Sequence, residues 1–284
     1  MGRSTHLIVV DTFCSTEEIT SAIQALSSDT THMAVLVLGL APEMPINTYS
    51  GSSYGAYAIP AVWQENYAVQ NEATAARAEG VEKILQNAGV AGDVVTVFCE
   101  MPKIEEEVSM RAKLCDLALL SRQLITSKDV LEQALDGILF RSPVAAIVNN
   151  TDAPFTGAPK HPFIAWSDDL PATRAVHHAL PFLRDAEEVT VAVFDPVMRK
   201  QGDGDNPGSD VATWLSRQGC KVTVQQYPGG GKEIGDCIVE HAIEIGSDLV
   251  VMGAYGHSRL RQRIFGGTTR TLLEQTKLPV FFAH

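Results

Sequence analysis

The chain has 284 residues and a formal net charge of -12, with 45% hydrophobic and 20% charged residues. That composition supports one large or two ordinary buried cores and excludes a disordered chain, while the acidic balance argues against nucleic acid as a partner. No run of about 18 apolar residues occurs, so no membrane span is expected.

Met1 to His6 enters a strand at once, so no signal peptide is expected. The five cysteines (Cys14, Cys99, Cys115, Cys220, Cys237) are scattered singly, without the spacing of a zinc site. An odd, dispersed set fits buried thiols in a reducing cytoplasm. A cytoplasmic location is therefore expected.

The first half opens with His6 to Asp11, a strand ending in an acid. Ser15 to Leu26 follows as a helix, with Ser15 and Glu18 spaced as a capping box. Met33 to Leu40 is a second strand, and residues 41 to 63 form a long loop rich in Pro, Gly, Ser and Tyr. Trp63, Tyr54 and Tyr57 are expected to fold that loop onto the domain, with a groove lining as the alternative. Glu65 to Asn87 runs at helical spacing, Asp93 to Glu100 is a strand, and Ile104 to Lys113 a helix with Glu105, Glu106 and Glu107 complementing its dipole. Asp116 to Ser121 is a strand, Asp129 to Phe140 a helix and Pro143 to Val148 a last strand. Strands alternating with helices predict an open parallel sheet covered on both faces.

Asn149 to Lys160 reads as a linker, after which the plan restarts. Phe163 to Trp166 is a strand, and Leu170 to Leu183 a helix with Pro171 in its first turn. Val189 to Phe194 is a strand, and Asp195 to Gly208 a loop before a helix from Ser209, its expected cap, to Arg217. Lys221 to Gln226 is a strand, Glu233 to Ile245 a helix, and Asp248 to Met252 a buried strand. Two copies of one plan predict two tandem, open, parallel-sheet domains of Rossmann-like α/β class, 1–150 and 151–284. Gly229 to Lys232 imitates a phosphate loop, but Lys232 precedes Glu233 and the spacing is wrong, so a turn is expected. His177 and His178 are adjacent on a helix and cannot chelate as an i, i+4 pair would.

The stretch richest in chemistry follows Met252. Gly253-x2-Gly256 and, nine residues on, Gly266-Gly267-Thr268-Thr269 lie between that strand and a short helix ending near Gln275, with Thr268 or Thr269 as N-cap. Leu278 to Phe282 is the closing strand. Glycines let backbone approach a ligand, and the amides of a first helical turn favour a phosphate. Arg259, Arg261, Arg263 and Arg270 make this a cationic island in an acidic chain. The alternative is a pair of surface turns with solvated arginines.

Gly253-x2-Gly256-x9-Gly266, with the lead-in Ala242 to Gly253, resembles the nucleotide-binding loop of the universal stress proteins, including their tandem, two-domain type. The resemblance implies an adenine nucleotide, ATP or else AMP or ADP, with or without Mg, bound in the second half and not the first. The site assigned on it comprises Ser167, Asp168, Val193, Gly253, Gly256, His257, Arg259, Gly266, Gly267, Thr268 and Thr269. Two departures stand out: Gly267 occupies a place that usually carries Ser or Thr, and Ser167 aligns with a family Asp. The first half keeps that acid as Asp11 but reads Ser121 to Ser127 where the glycine loop should be. A degenerate first domain is implied, with Asp11 expected to cap a helix or face solvent.

No catalytic triad and no metal cluster can be drawn from the residues. The reading is a stress-response regulatory module that offers a nucleotide-dependent surface to a protein partner. A slow ATPase or phosphotransferase, using Asp168 or Asp169, and a module binding another small ligand are the alternatives. The last strands of the two halves are expected to pair within one chain, mimicking a family dimer, and a further homodimer is compatible with that arrangement.

Overall fold

The computed structural model describes residues 4–44, 59–121, 124, 128–148, 154–196, 206–255 and 267–284. The first half runs β1 (Ser4–Asp11), α1 (Thr16–Leu26), β2 (Thr31–Leu40), α2 (Ala61–Ala88), β3 (Gly92–Cys99), a 3-10 turn, α3 (Ile104–Ala112), β4 (Leu117–Leu120), α4 (Lys128–Arg141) and β5 (Ala145–Val148). The second half runs β6 (Pro162–Trp166), α5 (Leu170–Arg184), β7 (Val189–Phe194), α6 (Ser209–Arg217), β8 (Val222–Tyr227), α7 (Ile234–Glu244), β9 (Leu249–Gly253), α8 (Gly267–Glu274) and β10 (Val280–Ala283). Among the described residues no helix is long and apolar enough to cross a membrane.

The two sheets join edge to edge through their last strands, as expected. Ten strands lie in the order β3-β2-β1-β4-β5-β10-β9-β6-β7-β8, parallel within each half and antiparallel only where β10 meets β5. Val280 opposes Val148, Phe281 opposes Ile147 and Phe282 opposes Ala146. All four residues of β5 and of β10 are buried, so either strand alone would leave an apolar edge open.

Side chains alternate across this sheet and feed two cores. Leu7, Val9, Phe163, Met252 and Phe282 face α3, α4, α7 and α8, while Ile8, Val10, Ile164, Val251 and Phe281 face α1, α5 and α6. Burial of each such side chain is worth about 1.5–3 kcal/mol.

Local sequence explains most of the helices. In α1 the Ser15 hydroxyl accepts the Glu18 amide at 3.1 Å, and the Glu18 carboxylate accepts the Ser15 amide at 3.3 Å, closing the capping box. In α5 the residues Ala172, Ala175, Val176, Ala179 and Leu183 form the buried stripe. Three boundaries differ from expectation. Helix α2 begins at Ala61, so Trp63 lies on it, its indole N–H donating to the carbonyls of Pro42 and Glu43; Tyr54 and Tyr57 lie outside the described residues. Helix α6 is capped by Gly208 and not by Ser209; a glycine is required at 208 because φ is 86° and a Cβ there would stand 3.0 Å from Val193 Cγ2. Helix α8 begins at Gly267, which places Thr268 and Thr269 in its first turn instead of at its cap.

The described part of the linker is anchored. Phe155 is buried and meets the Phe182 ring edge-on at 5.5 Å.

Candidate functional site

In each half the strand order is that of a doubly wound sheet, which reverses direction at its first strand. In the second half the reversal lies between β6 and β9, and a crevice outside their carboxyl ends is the expected ligand position. A cavity of about 440 Å³ occupies that crevice. Its apolar wall comes from Ala165 on β6, Phe194 ending β7, Ile234 and Ile238 on α7, and Met252 on β9. Its polar rim comes from Ser167 and Asp169 before α5, Tyr255 after β9, and Gly267, Thr268 and Thr269 opening α8.

Asp169 and not Asp168 is the acid of this rim. Asp168 is exposed and does not line the cavity. Asp169 is the N-cap of α5: its Oδ1 accepts the Ala172 amide at 2.8 Å, and its Oδ2 accepts the Ser167 hydroxyl at 2.9 Å. The Asp169 amide donates to the Ser167 carbonyl at 2.8 Å, a tight turn that points the second acid inward. The N-cap pattern Asp-Leu-Pro carried the signal for this choice. Val193 is buried one residue short of the cavity, and Phe194 takes the lining place. In a strand one residue changes the face.

The glycines divide by role. A Cβ on Gly253 would strike the backbone at the start of α5, lying 2.6 Å from the Pro171 carbonyl carbon and closer still to the Ala172 amide. That glycine is demanded by helix-on-strand packing. Among the described residues only Glu233 Oε2 lies near the missing Cβ of Gly267, at 3.6 Å. Thr269 is buried, and the Thr271 hydroxyl donates to the Gly267 carbonyl at 3.1 Å. Arg270 pairs with Glu274 at 2.8 Å along α8. Gly256, His257, Arg259 and Gly266, together with Arg261 and Arg263, lie outside the described residues.

Tyr255 is a rim residue that the sequence did not suggest. Its φ is 65°, a left-handed conformation that costs a bulky residue about 1–3 kcal/mol and persists only when its surroundings impose it. Its hydroxyl donates to Asp136 Oδ1 on α4 at 3.0 Å, and its ring lies 4.6 Å from that of Phe140. Burial first, and the Asp136 carboxylate second, hold the phenol well above its ordinary range.

The corresponding place in the first half is built differently. Asp11 Oδ1 accepts the amides of Phe13 at 2.8 Å and Cys14 at 3.0 Å, so it shapes the turn after β1 and caps no helix. Cys14 Sγ and Ser121 Oγ share a hydrogen bond of 2.7 Å that ties the ends of β1 and β4 together. Burial pushes the Cys14 thiol up to about 12.

The other motifs are structural. Gly230 and Gly231 have positive φ, Gly229 donates to Asp195 Oδ1 at 2.6 Å, and Lys232 pairs with Glu240 at 2.7 Å, which makes this stretch the turn into α7. The His177 ring packs at a tilt against Trp214, 4.5 Å between centroids, while burial lowers the affinity of His178 for a proton. Among the described residues no group of three or more His, Cys, Asp or Glu could hold a metal ion.

Residues 165–284 match the sequence profile of the Universal stress protein family. A stretch of 66 residues is 38% identical to universal stress protein Slr1230 of Synechocystis sp. strain PCC 6803, covering 23% of this chain and 22% of that relative. The match therefore spans about a fifth of the relative's length. A universal stress protein from Archaeoglobus fulgidus DSM 4304 is similar in fold over 98% of this chain and 95% of its own, with TM-score 0.63 and 15% identity. A putative universal stress protein from Pseudomonas aeruginosa UCBPP-PA14 aligns over 99% and 93%, with TM-score 0.53 and 14% identity. At such identities the structures speak to the fold alone.

Proposed function

We propose, from this chain's membership of the universal stress protein family, to which it belongs through residues 165–284, that its second half binds an adenine nucleotide and serves as a regulatory module. One observation carries the proposal: the cavity at the reversal between β6 and β9 has an apolar wall on one side and the first turn of α8 on the other. A purine ring suits the slot formed by Ala165, Phe194, Ile234, Ile238 and Met252. The amides of Gly267, Thr268 and Thr269 in the first turn of α8, with the two threonine hydroxyls, suit a phosphate. A volume of about 440 Å³ is within the range of small-molecule sites.

Binding is favoured over turnover by the state of Asp169. Both its oxygens are engaged, one with the Ala172 amide and one with the Ser167 hydroxyl, which suits a wall residue better than a base that must take a proton. The module reading, a cytoplasmic location and a protein partner that senses occupancy complete the proposal. Purified protein denatured with acid should release adenine nucleotide, and calorimetry should show ATP binding more tightly than adenosine. Equal affinity for the two, with no nucleotide released, would sink the reading.

A further inference from the structure

Helix α4 belongs to the half that has no glycine loop, yet it reaches both ends of the other half's ligand stretch. Near its end, Asp136 accepts the Tyr255 hydroxyl at 3.0 Å, two residues after β9. At its start, Lys128 pairs with Glu274 on α8 at 2.9 Å. The two contacts differ in kind. Lys128 and Glu274 are each half exposed, and such pairs contribute little. The Tyr255–Asp136 bond is partly buried, charge-assisted, and flanked by aromatic contacts. The Phe140 ring lies 4.6 Å from Tyr255 and 4.5 Å from His284, and a ring nitrogen of His284 is 3.0 Å from the Ala254 carbonyl.

Among the described rim residues, these contacts fall on the one whose backbone is held left-handed, at φ 65°. The residue lines the cavity, and its backbone sets the direction in which the chain leaves β9. We infer that Asp136 is a positioning residue for the cavity, acting through Tyr255, so that the first half braces the ligand site of the second. The inference rests on the nucleotide reading only for the identity of the ligand. Without Asp136 the phenol loses this hydrogen bond, and the left-handed residue loses one of the contacts that hold it. The rim then moves, although Asp136 lies on the other half.

The test uses the full chain with Tyr255→Phe, Asp136→Ala, the two combined, and Asp136→Asn, which keeps an acceptor oxygen. Circular dichroism confirms the fold of each, and ATP affinity is read by calorimetry. Each of the first two should weaken ATP about tenfold, in keeping with loss of a charge-assisted hydrogen bond. The combined variant should lose less than the sum of the two singles, because both changes remove the same Tyr255–Asp136 hydrogen bond. Asp136→Asn should recover most of the loss. If Tyr255→Phe weakens binding while Asp136→Ala does not, the phenol meets the ligand itself and the inference is overturned. Strictly additive losses overturn it too. If the wild-type chain binds no adenine nucleotide, the functional reading fails, and amide exchange in the ligand-free proteins decides this one separately. Exchange at Gly253–Tyr255 and Gly267–Thr271 should quicken about tenfold in both single variants, and unchanged exchange defeats it.

Discussion

Ser167 donates its hydroxyl to Asp169 across 2.9 Å, and the tight turn that brings them together sends the intervening Asp168 outward. An aligned serine and a displaced acid thereby recreate an acidic wall at the end of β6. The same carboxylate opens α5 by accepting the Ala172 amide. Helix stability and cavity chemistry therefore depend on a single side chain.

Asp169→Ala should cost about 1 kcal/mol of stability through the lost cap, whereas Asp168→Ala should be silent within about 0.5 kcal/mol. Denaturant midpoints on the two variants measure the contrast. Ligand affinity should follow the same order, falling for the first and holding for the second.

The difference between these two acids shows what was legible. Elements whose cause is local, such as the capping box of α1 or the apolar runs of β4, β5 and β9, could be read directly. Positions that depend on one residue of register could not: Asp169 for Asp168, Phe194 for Val193, Gly208 for Ser209. A strand changes face at every residue, and a cap depends on what crowds it from outside the helix. Tyr255 was invisible for a different reason. Its partner Asp136 is 119 residues away, and no spacing rule spans that distance.

The buried thiols predict alkaline sensitivity. Burial raises Cys14 from an ordinary 9.0 to about 12, and Cys99 and Cys115 to about 11. Between those values the unfolded chain has lost the proton that the folded chain keeps. The stability these thiols contribute is thus complete below pH 9 and declines as pH rises toward 11 and 12. For Cys14 alone the slope is about 1.4 kcal/mol per pH unit. Cys14→Ala should flatten the curve of stability against pH in this window, and an unchanged slope would contradict the assignment.

Strand β10 is flanked on both sides, by β5 and by β9, in the middle of the ten-stranded sheet. Val280→Pro removes a backbone donor from a strand with no solvent edge, a place from which proline is excluded in sheets. The expected result is loss of cooperative folding at the centre of the sheet and not a mere loosening of two intact halves. A melting curve that keeps its wild-type midpoint would show the strand to be less committed than its register implies.

The glycines give the most discriminating pair of substitutions. At Gly253 a new Cβ would press on Pro171 and Ala172, whose backbone begins α5 and cannot yield alone. Gly253→Ala should therefore cost about 1–3 kcal/mol as overpacking, whether or not any ligand is present. Gly267 lies in α8, and among the described residues its Cβ would meet only the Glu233 carboxylate, at 3.6 Å. Gly267→Ser should leave stability unchanged within about 0.5 kcal/mol and place a hydroxyl in the first turn of α8, where resemblance to the family expects one. If the α8 amides cradle phosphate, this variant should bind ATP at least as tightly as the wild type. A stable Gly267→Ser protein that binds ATP about tenfold more weakly would mean that the phosphate does not approach the first turn of α8 from that side.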